Sequence, residues 1–130
     1  MKEERLLRIG VLGAGPIAQA AHFESCNKAR NAELYAICDI AEDLRERMAA
    51  THRPTRTFGD YAAMLADPAL EAVIVATADA FHVEASRAAL EAGKHVLCEK
   101  PMAMRVEDAE ALAATARRTG RVLHIGHMKR

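Results

Sequence analysis

The sequence has no excess of either charge. Its 130 residues carry 18 Lys and Arg against 18 Asp and Glu. A nucleic-acid binder normally shows a basic surplus, and so does a polybasic membrane anchor. Neither nucleic acid nor membrane is therefore expected as a partner. Long apolar runs are missing as well. The longest centres on residues 72–76, far short of the ~18 residues that a bilayer span needs. No secretory leader is legible. Met1-Lys2-Glu3-Glu4-Arg5 includes acids, and the run 6–14 behind it is short and broken by Arg8 and two glycines. The three cysteines, Cys26, Cys38 and Cys98, are an odd number with no Cys-x-x-Cys spacing. That argues against a disulfide framework and for a reducing, cytoplasmic setting. Each cysteine reads first as a small buried hydrophobe. There is no repeat, low-complexity tract or flexible linker.

What is present is an alternation of short apolar runs and helix-patterned stretches. A strand is expected over 6–12, ended by Gly13-Ala14-Gly15, with Pro16 at the first position of a helix reaching about Lys28. A second strand, 33–38, leads through Asp39 into a helix over about 41–50, with Leu44 and Met48 as its buried stripe. A short third strand falls within 54–58. Asp60 is an N-cap candidate for a helix through Leu65, stopped by Asp67-Pro68. Residues 72–76 are apolar without interruption, as in a strand covered on both faces. A helix from about His82 ends at Gly93, and a fifth strand spans 95–98. Val106, Ala109, Leu112, Ala113 and Ala116 then repeat at helical spacing up to Gly120, before a sixth strand over 122–126. The implied class is α/β: a Rossmann-type doubly wound, mostly parallel six-stranded sheet with helices on both faces. One dinucleotide-binding domain is expected over residues 1–126.

Gly13-Ala14-Gly15-Pro16-Ile17-Ala18 matches G-x-G-x-x-A between a strand and a helix. Gly13 permits the tight turn, Gly15 lets a pyrophosphate approach the backbone, and Ala18 keeps the helix close to the strand. The helix start, with Pro16 and Ile17, offers free N–H groups and a partial positive charge to the anion. Asp39 ends the second strand about 20 residues further on, where a carboxylate accepts hydrogen bonds from both hydroxyls of an adenosine ribose. It repels a 2′-phosphate, so NAD is favoured. Arg45 or Arg47, suitably placed on the following helix, would let NADP be tolerated. The competing reading of Asp39 is a turn residue capping the next helix.

Ala92-Gly93-Lys94-His95-Val96-Leu97-Cys98-Glu99-Lys100-Pro101, taken with this loop, closely resembles the glucose–fructose oxidoreductase, inositol dehydrogenase and MocA family (Gfo/Idh/MocA), whose signature is the Glu-Lys-Pro triplet. Residues 77–82 resemble its Thr-Pro-Asn-x-x-His loop, with Ala78 and Asp79 in place of proline and asparagine. The resemblance implies hydride transfer between a nicotinamide cofactor and a hydroxyl or carbonyl of a sugar, cyclitol or related polyol. It implies that Lys100 is catalytic and reaches the reacting oxygen and the nicotinamide ribose. An ammonium there donates to a carbonyl oxygen as negative charge develops, and with a lowered pKa it helps remove a hydroxyl proton. Glu99 would orient Lys100 or touch the ribose, while Thr77 and His82 would line the cofactor crevice. For His82, a packing role at the helix start is the alternative. A cis Lys100–Pro101 bond is expected as part of the turn.

The family also implies a C-terminal domain of roughly 200 further residues, by usual domain sizes, that covers the nicotinamide and holds the substrate. Residues 127–130 look like the start of the connection to it, and the domain itself is absent from this chain. The chain alone is therefore expected to bind cofactor with little or no turnover. Its uncovered apolar surface would invite self-association into a homo-oligomer. A stand-alone, non-enzymatic NAD-binding or sensor module is the alternative. An S-adenosylmethionine-dependent methyltransferase shares the glycine loop and the acid, yet has no use for Glu99-Lys100-Pro101. His124-Ile125-Gly126-His127 spells the HIGH string of class I aminoacyl-tRNA synthetases. It ends a strand instead of opening a helix, and no Lys-Met-Ser-Lys-Ser partner is present. No metal site is expected, since His124 and His127 would point to opposite faces of a strand.

Overall fold

The computed structural model describes residues 6–13, 31–76, 79–99 and 106–126; for 79–82, 98–99 and 125–126 it describes the backbone course only. Six strands form one sheet: β1 (Leu7–Leu12), β2 (Ala32–Cys38), β3 (Arg56–Phe58), β4 (Ala72–Val75), β5 (His95–Glu99) and β6 (Leu123–Gly126). Their order is β3-β2-β1-β4-β5-β6, and every pairing is parallel. Parallel neighbours cannot be joined by a hairpin, so each step needs a crossover. The described helices are α1 (Glu42–His52), α2 (Tyr61–Leu65), α3 (Asp79–Glu91) and α4 (Val106–Thr119). The winding reverses between β1 and β4, which places a topological switch point at their C-terminal tips.

Apolar residues on successive strand positions feed two clusters, one on each face. β4 sends Val73 and Val75 into the larger and Ile74 into the smaller. This explains why its sequence is apolar without alternation. The larger cluster takes Met64 from α2, Ala85, Ala89 and Leu90 from α3, and Ala116 from α4. Gly10 of β1 is needed for this packing. A Cβ there would stand 2.9 Å from Leu70 Cδ1 and 3.1 Å from Met64 Sδ.

β2 departs from simple pairing. Ile9 is opposite Leu34 and Gly10 is opposite Ala36, so Tyr35 is an extra residue. Such a bulge shifts the phase of the strand by one position. Tyr35 and Ala36 accordingly both join the larger cluster, and Ile37 returns to the smaller.

Several sequence expectations need correction. Leu44 and Met48 do face the core and pack against the smaller cluster, but they stay half-buried, and α1 has no fully buried residue. The helix connects β2 to the three-residue edge strand β3. Asp60 has the extended backbone of an N-cap, yet its carboxylate makes no capping bond; its carbonyl accepts from Met64 N–H instead. α3 begins at Asp79, three residues before His82. An acid in a first helical turn is favoured by the helix dipole. β5 extends one residue further, to Glu99, and β6 starts at Leu123. The helix expected from Pro16 lies outside the described residues.

Candidate cofactor site

Among the described residues, three backbone hydrogen bonds tie the C-terminal tips of β1 to β4 together. Gly13 N–H donates to the Cys38 carbonyl at 2.7 Å, Asp39 N–H to that of Phe58 at 3.1 Å, and Ala76 N–H to that of Leu12 at 3.0 Å. Gly13 has φ 101°, a region that side-chain-bearing residues rarely adopt. The turn after β1 thus requires glycine where the motif has it. Gly13 and Asp39 sit at adjacent tips, and β4 ends on the other side of β1.

Asp39 is half-exposed, and its Oδ1 accepts the Ala41 N–H at 2.8 Å. The carboxylate therefore does shape the turn into α1, as the competing reading required. That bond also holds it at the strand tip. Arg45, from the first turn of α1, folds back so that Nη1 donates to the Asp39 carbonyl at 2.7 Å. Its guanidinium lies over Gly59, where a Cβ would stand 2.9 Å from Nη1. Ile40 beside it is 89% exposed. Underneath, the Cys38 thiol is pushed up to about 12, first by burial and then by Asp39 and Asp60, against an opposing effect of Arg45. Cys38 is thus a buried, protonated thiol with no nucleophilic character, in accord with the sequence expectation for it.

Glu99 is the last residue of β5, opposite Gly126 of β6, so it reaches the same edge. His82 falls in the first turn of α3. The side chains of Glu99 and His82, together with Gly15, Pro16, Ile17, Ala18, Thr77, Lys100 and the Lys100–Pro101 bond, lie outside the described residues. His124 lies on β6 opposite Leu97 and is exposed; His127 is outside the described residues. The described part of this edge fits a dinucleotide. It offers a glycine turn at the switch point, a carboxylate at the next tip and a guanidinium beside it.

Sequence reasoning missed a polar knot at the opposite edge. Asp67 Oδ2 accepts from the Tyr35 hydroxyl at 2.8 Å and from Arg56 Nη1 at 3.0 Å, and Oδ1 accepts from Ala69 N–H at 2.9 Å. Burial alone would raise this carboxyl. The Ala69, Tyr35 and Arg56 donors outweigh it and hold the group below the ordinary carboxylate range. Lys94, buried ahead of β5, donates from Nζ to the carbonyls of Asp67 and Leu70, both at 2.9 Å. The sequence showed Asp67 only as a helix stop and Lys94 only as a letter of a signature.

A family model described as "Oxidoreductase family, NAD-binding Rossmann fold" matches residues 7–127. The chain belongs to the Gfo/Idh/MocA oxidoreductase family. Within it, the chain is 37% identical over 117 residues to the D-glucoside 3-dehydrogenase of Escherichia coli, covering 90% of this chain and 33% of that protein. The myo-inositol 2-dehydrogenase of Thermotoga maritima is 32% identical over 124 residues, covering 95% and 37%. Among solved structures, a 3-ketoreductase from Actinomadura kijaniata in complex with NADP and TDP-benzene superposes with a TM-score of 0.88 at 31% identity. That match covers 94% of this chain and 37% of the other. The chain thus spans about a third of the length of these relatives. Membership of this Gfo/Idh/MocA family, as an NAD-binding Rossmann domain, removes the methyltransferase and synthetase readings. No described helix is long and apolar enough to cross a membrane.

Proposed function

We propose that this chain is the cofactor-holding part of an NAD(P)-dependent dehydrogenase that interconverts a hydroxyl and a carbonyl on a sugar, cyclitol or related polyol. The observation that carries it is the placement of Gly13 and Asp39 at adjacent strand tips beside the β1/β4 switch point. When bound, the nicotinamide dinucleotide accepts or donates the hydride. Gly13, Gly15, Pro16, Ile17 and Ala18 receive the pyrophosphate, and Asp39 binds the adenosine ribose. Thr77, His82 and Glu99 line the nicotinamide half. Lys100, next after the end of β5, is the catalytic residue. Its ammonium holds the substrate oxygen and moves a proton at that atom. Relatives named for glucoside and inositol oxidation support the polyol class, and one crystallised with NADP supports tolerance of that cofactor. The reading divides the chain into a cofactor domain over 1–126 and a connection over 127–130 to a substrate-holding domain. It also includes a cytoplasmic setting and self-association.

Titration of the chain with NAD should show saturable binding without turnover. In a protein continuing into a substrate domain, Lys100→Ala should abolish oxidation across a polyol panel while NAD still binds. A chain that does not bind NAD at millimolar concentration refutes the cofactor site. Undiminished turnover by the alanine variant refutes the role of Lys100.

A further inference from the structure

α3 carries His82 in its first turn, just beyond the tip of β4. Bulk does little to fix where that turn stands. Among the described residues, the buried positions in the N-terminal half of α3 are Ala85 and Ser86, both small, whereas the large anchor Leu90 lies in the last turn. Small side chains make shallow ridges, so packing alone specifies the placement of this half weakly. Ser86 adds no polar tie, because its buried hydroxyl finds no partner among the described residues. Two side chains from other elements hydrogen-bond to the described part of α3. Arg118 of α4 reaches Glu91 at 3.0 Å, at the far end of the helix. Tyr61, the first residue of α2, donates from its hydroxyl to the Ala85 carbonyl at 2.8 Å. Tyr61 follows β3 by three residues, so it too starts from the C-terminal edge of the sheet, and its ring packs against the larger cluster. The hydroxyl is thus delivered on a rigid, half-buried stem. It grips α3 one turn beyond His82, about 4.5 Å along the axis.

We infer that Tyr61 is a positioning residue for the nicotinamide half of the cofactor: its hydroxyl, bonded to the Ala85 carbonyl, sets where the first turn of α3 stands and so where His82 meets the dinucleotide. The inference rests on the dinucleotide reading above and adds to it a residue that acts through α3. The adenosine half, received at the tips of β1 and β2 by Gly13 and Asp39, does not depend on this tie.

The test is calorimetric titration of the 130-residue chain with NAD and with ADP, which has the adenosine and the diphosphate without the nicotinamide. Tyr61→Phe should weaken NAD about three- to tenfold, the scale of one net hydrogen bond, and should change ADP by no more than about twofold. Ser86→Ala removes a hydroxyl from the same helix and should leave the ratio of the two affinities unchanged. A measurement on the parent chain stands apart from any variant: NAD should slow amide hydrogen exchange over residues 83–86, and ADP should not. Equal losses of NAD and ADP in Tyr61→Phe would assign the tyrosine to folding alone and overturn the inference. So would unchanged NAD binding, the same shift of the ratio in Ser86→Ala, or equal protection of 83–86 by both ligands. A parent chain that binds NAD no more tightly than ADP would overturn it too, with the adenosine site left standing. If neither ligand binds the parent chain, the cofactor reading itself falls, and this inference falls with it.

Discussion

Replacing Lys94 by methionine isolates one buried cation without changing the side-chain length much. Lys94 is 6% exposed, and its ammonium donates to two carbonyls, those of Asp67 and Leu70. Each such bond, which a neutral amine can also donate, contributes about 0.5–1.5 kcal/mol net, and a buried carbonyl left without its donor costs about 1–3 kcal/mol. After their loss the Asp67 carbonyl keeps the Leu70 N–H at 3.2 Å, so the damage falls mainly on the Leu70 carbonyl. Relief from burying a charge offsets part of it. A net destabilisation of about 2–4 kcal/mol follows, or roughly 10 °C in Tm for a chain of this size. The effect should depend on pH. Burial lowers the Lys94 pKa, Arg121 adds to this and Asp67 opposes it, with a net lowering. The folded protein therefore releases this proton before the unfolded chain does. The resulting stability is complete above the ordinary lysine value of ~10.4 and is lost as pH falls through the lowered value. The difference between parent and Lys94→Met, measured by urea unfolding, should widen from about pH 8 to about pH 10.5. A methionine variant as stable as the parent, with no pH trend, would show that the two carbonyl bonds do not exceed the cost of burying the ammonium.

Two further outcomes follow from the packing. The lowered Asp67 carboxyl contributes stability that is present above ~3.9, the ordinary aspartate value, and lost as pH falls through its folded value. Asp67→Asn should remove that acid-side slope from urea midpoints taken between about pH 6 and pH 2, and an identical slope would contradict the assignment. Gly10→Val should destabilise by about 1–3 kcal/mol through overpacking against Leu70 and Met64, with the double variant Gly10→Val, Met64→Ala recovering part of the loss in thermal melts.

The parts of the site that were legible in the sequence depend on short-range chemistry. Gly13 needs a positive φ, and the one residue type that adopts it freely stands there. Asp39 follows directly on β2, so its place needed only the end of an apolar run. The uninterrupted apolar run of β4 announced a strand with two covered faces, and Val73, Ile74 and Val75 divide between those faces. What escaped depends on contacts far apart in sequence. The Tyr35 bulge exists only through the register against Ile9 and Gly10. Tyr35 meets Asp67 across 32 positions and Lys94 meets it across 27, so no local pattern reveals either. Arg45 looked equivalent to Arg47 because periodicity alone does not say which of two arginines turns back over Gly59. The buried stripe assigned to Leu44 and Met48 overestimated their cover, since helical spacing does not report how much sheet lies beneath.

The amides just beyond β1, β2 and β4 are each held by a carbonyl at the end of an adjacent strand. The last rung of pairing thus lies past the strands proper, and four neighbouring ends share one fixed spacing. Loops that leave from Gly13, Asp39 and Ala76 can change length or composition without altering the distances between their roots. A platform of that kind lets substrate preference diverge in the surrounding segments while the span required by a nucleotide stays constant.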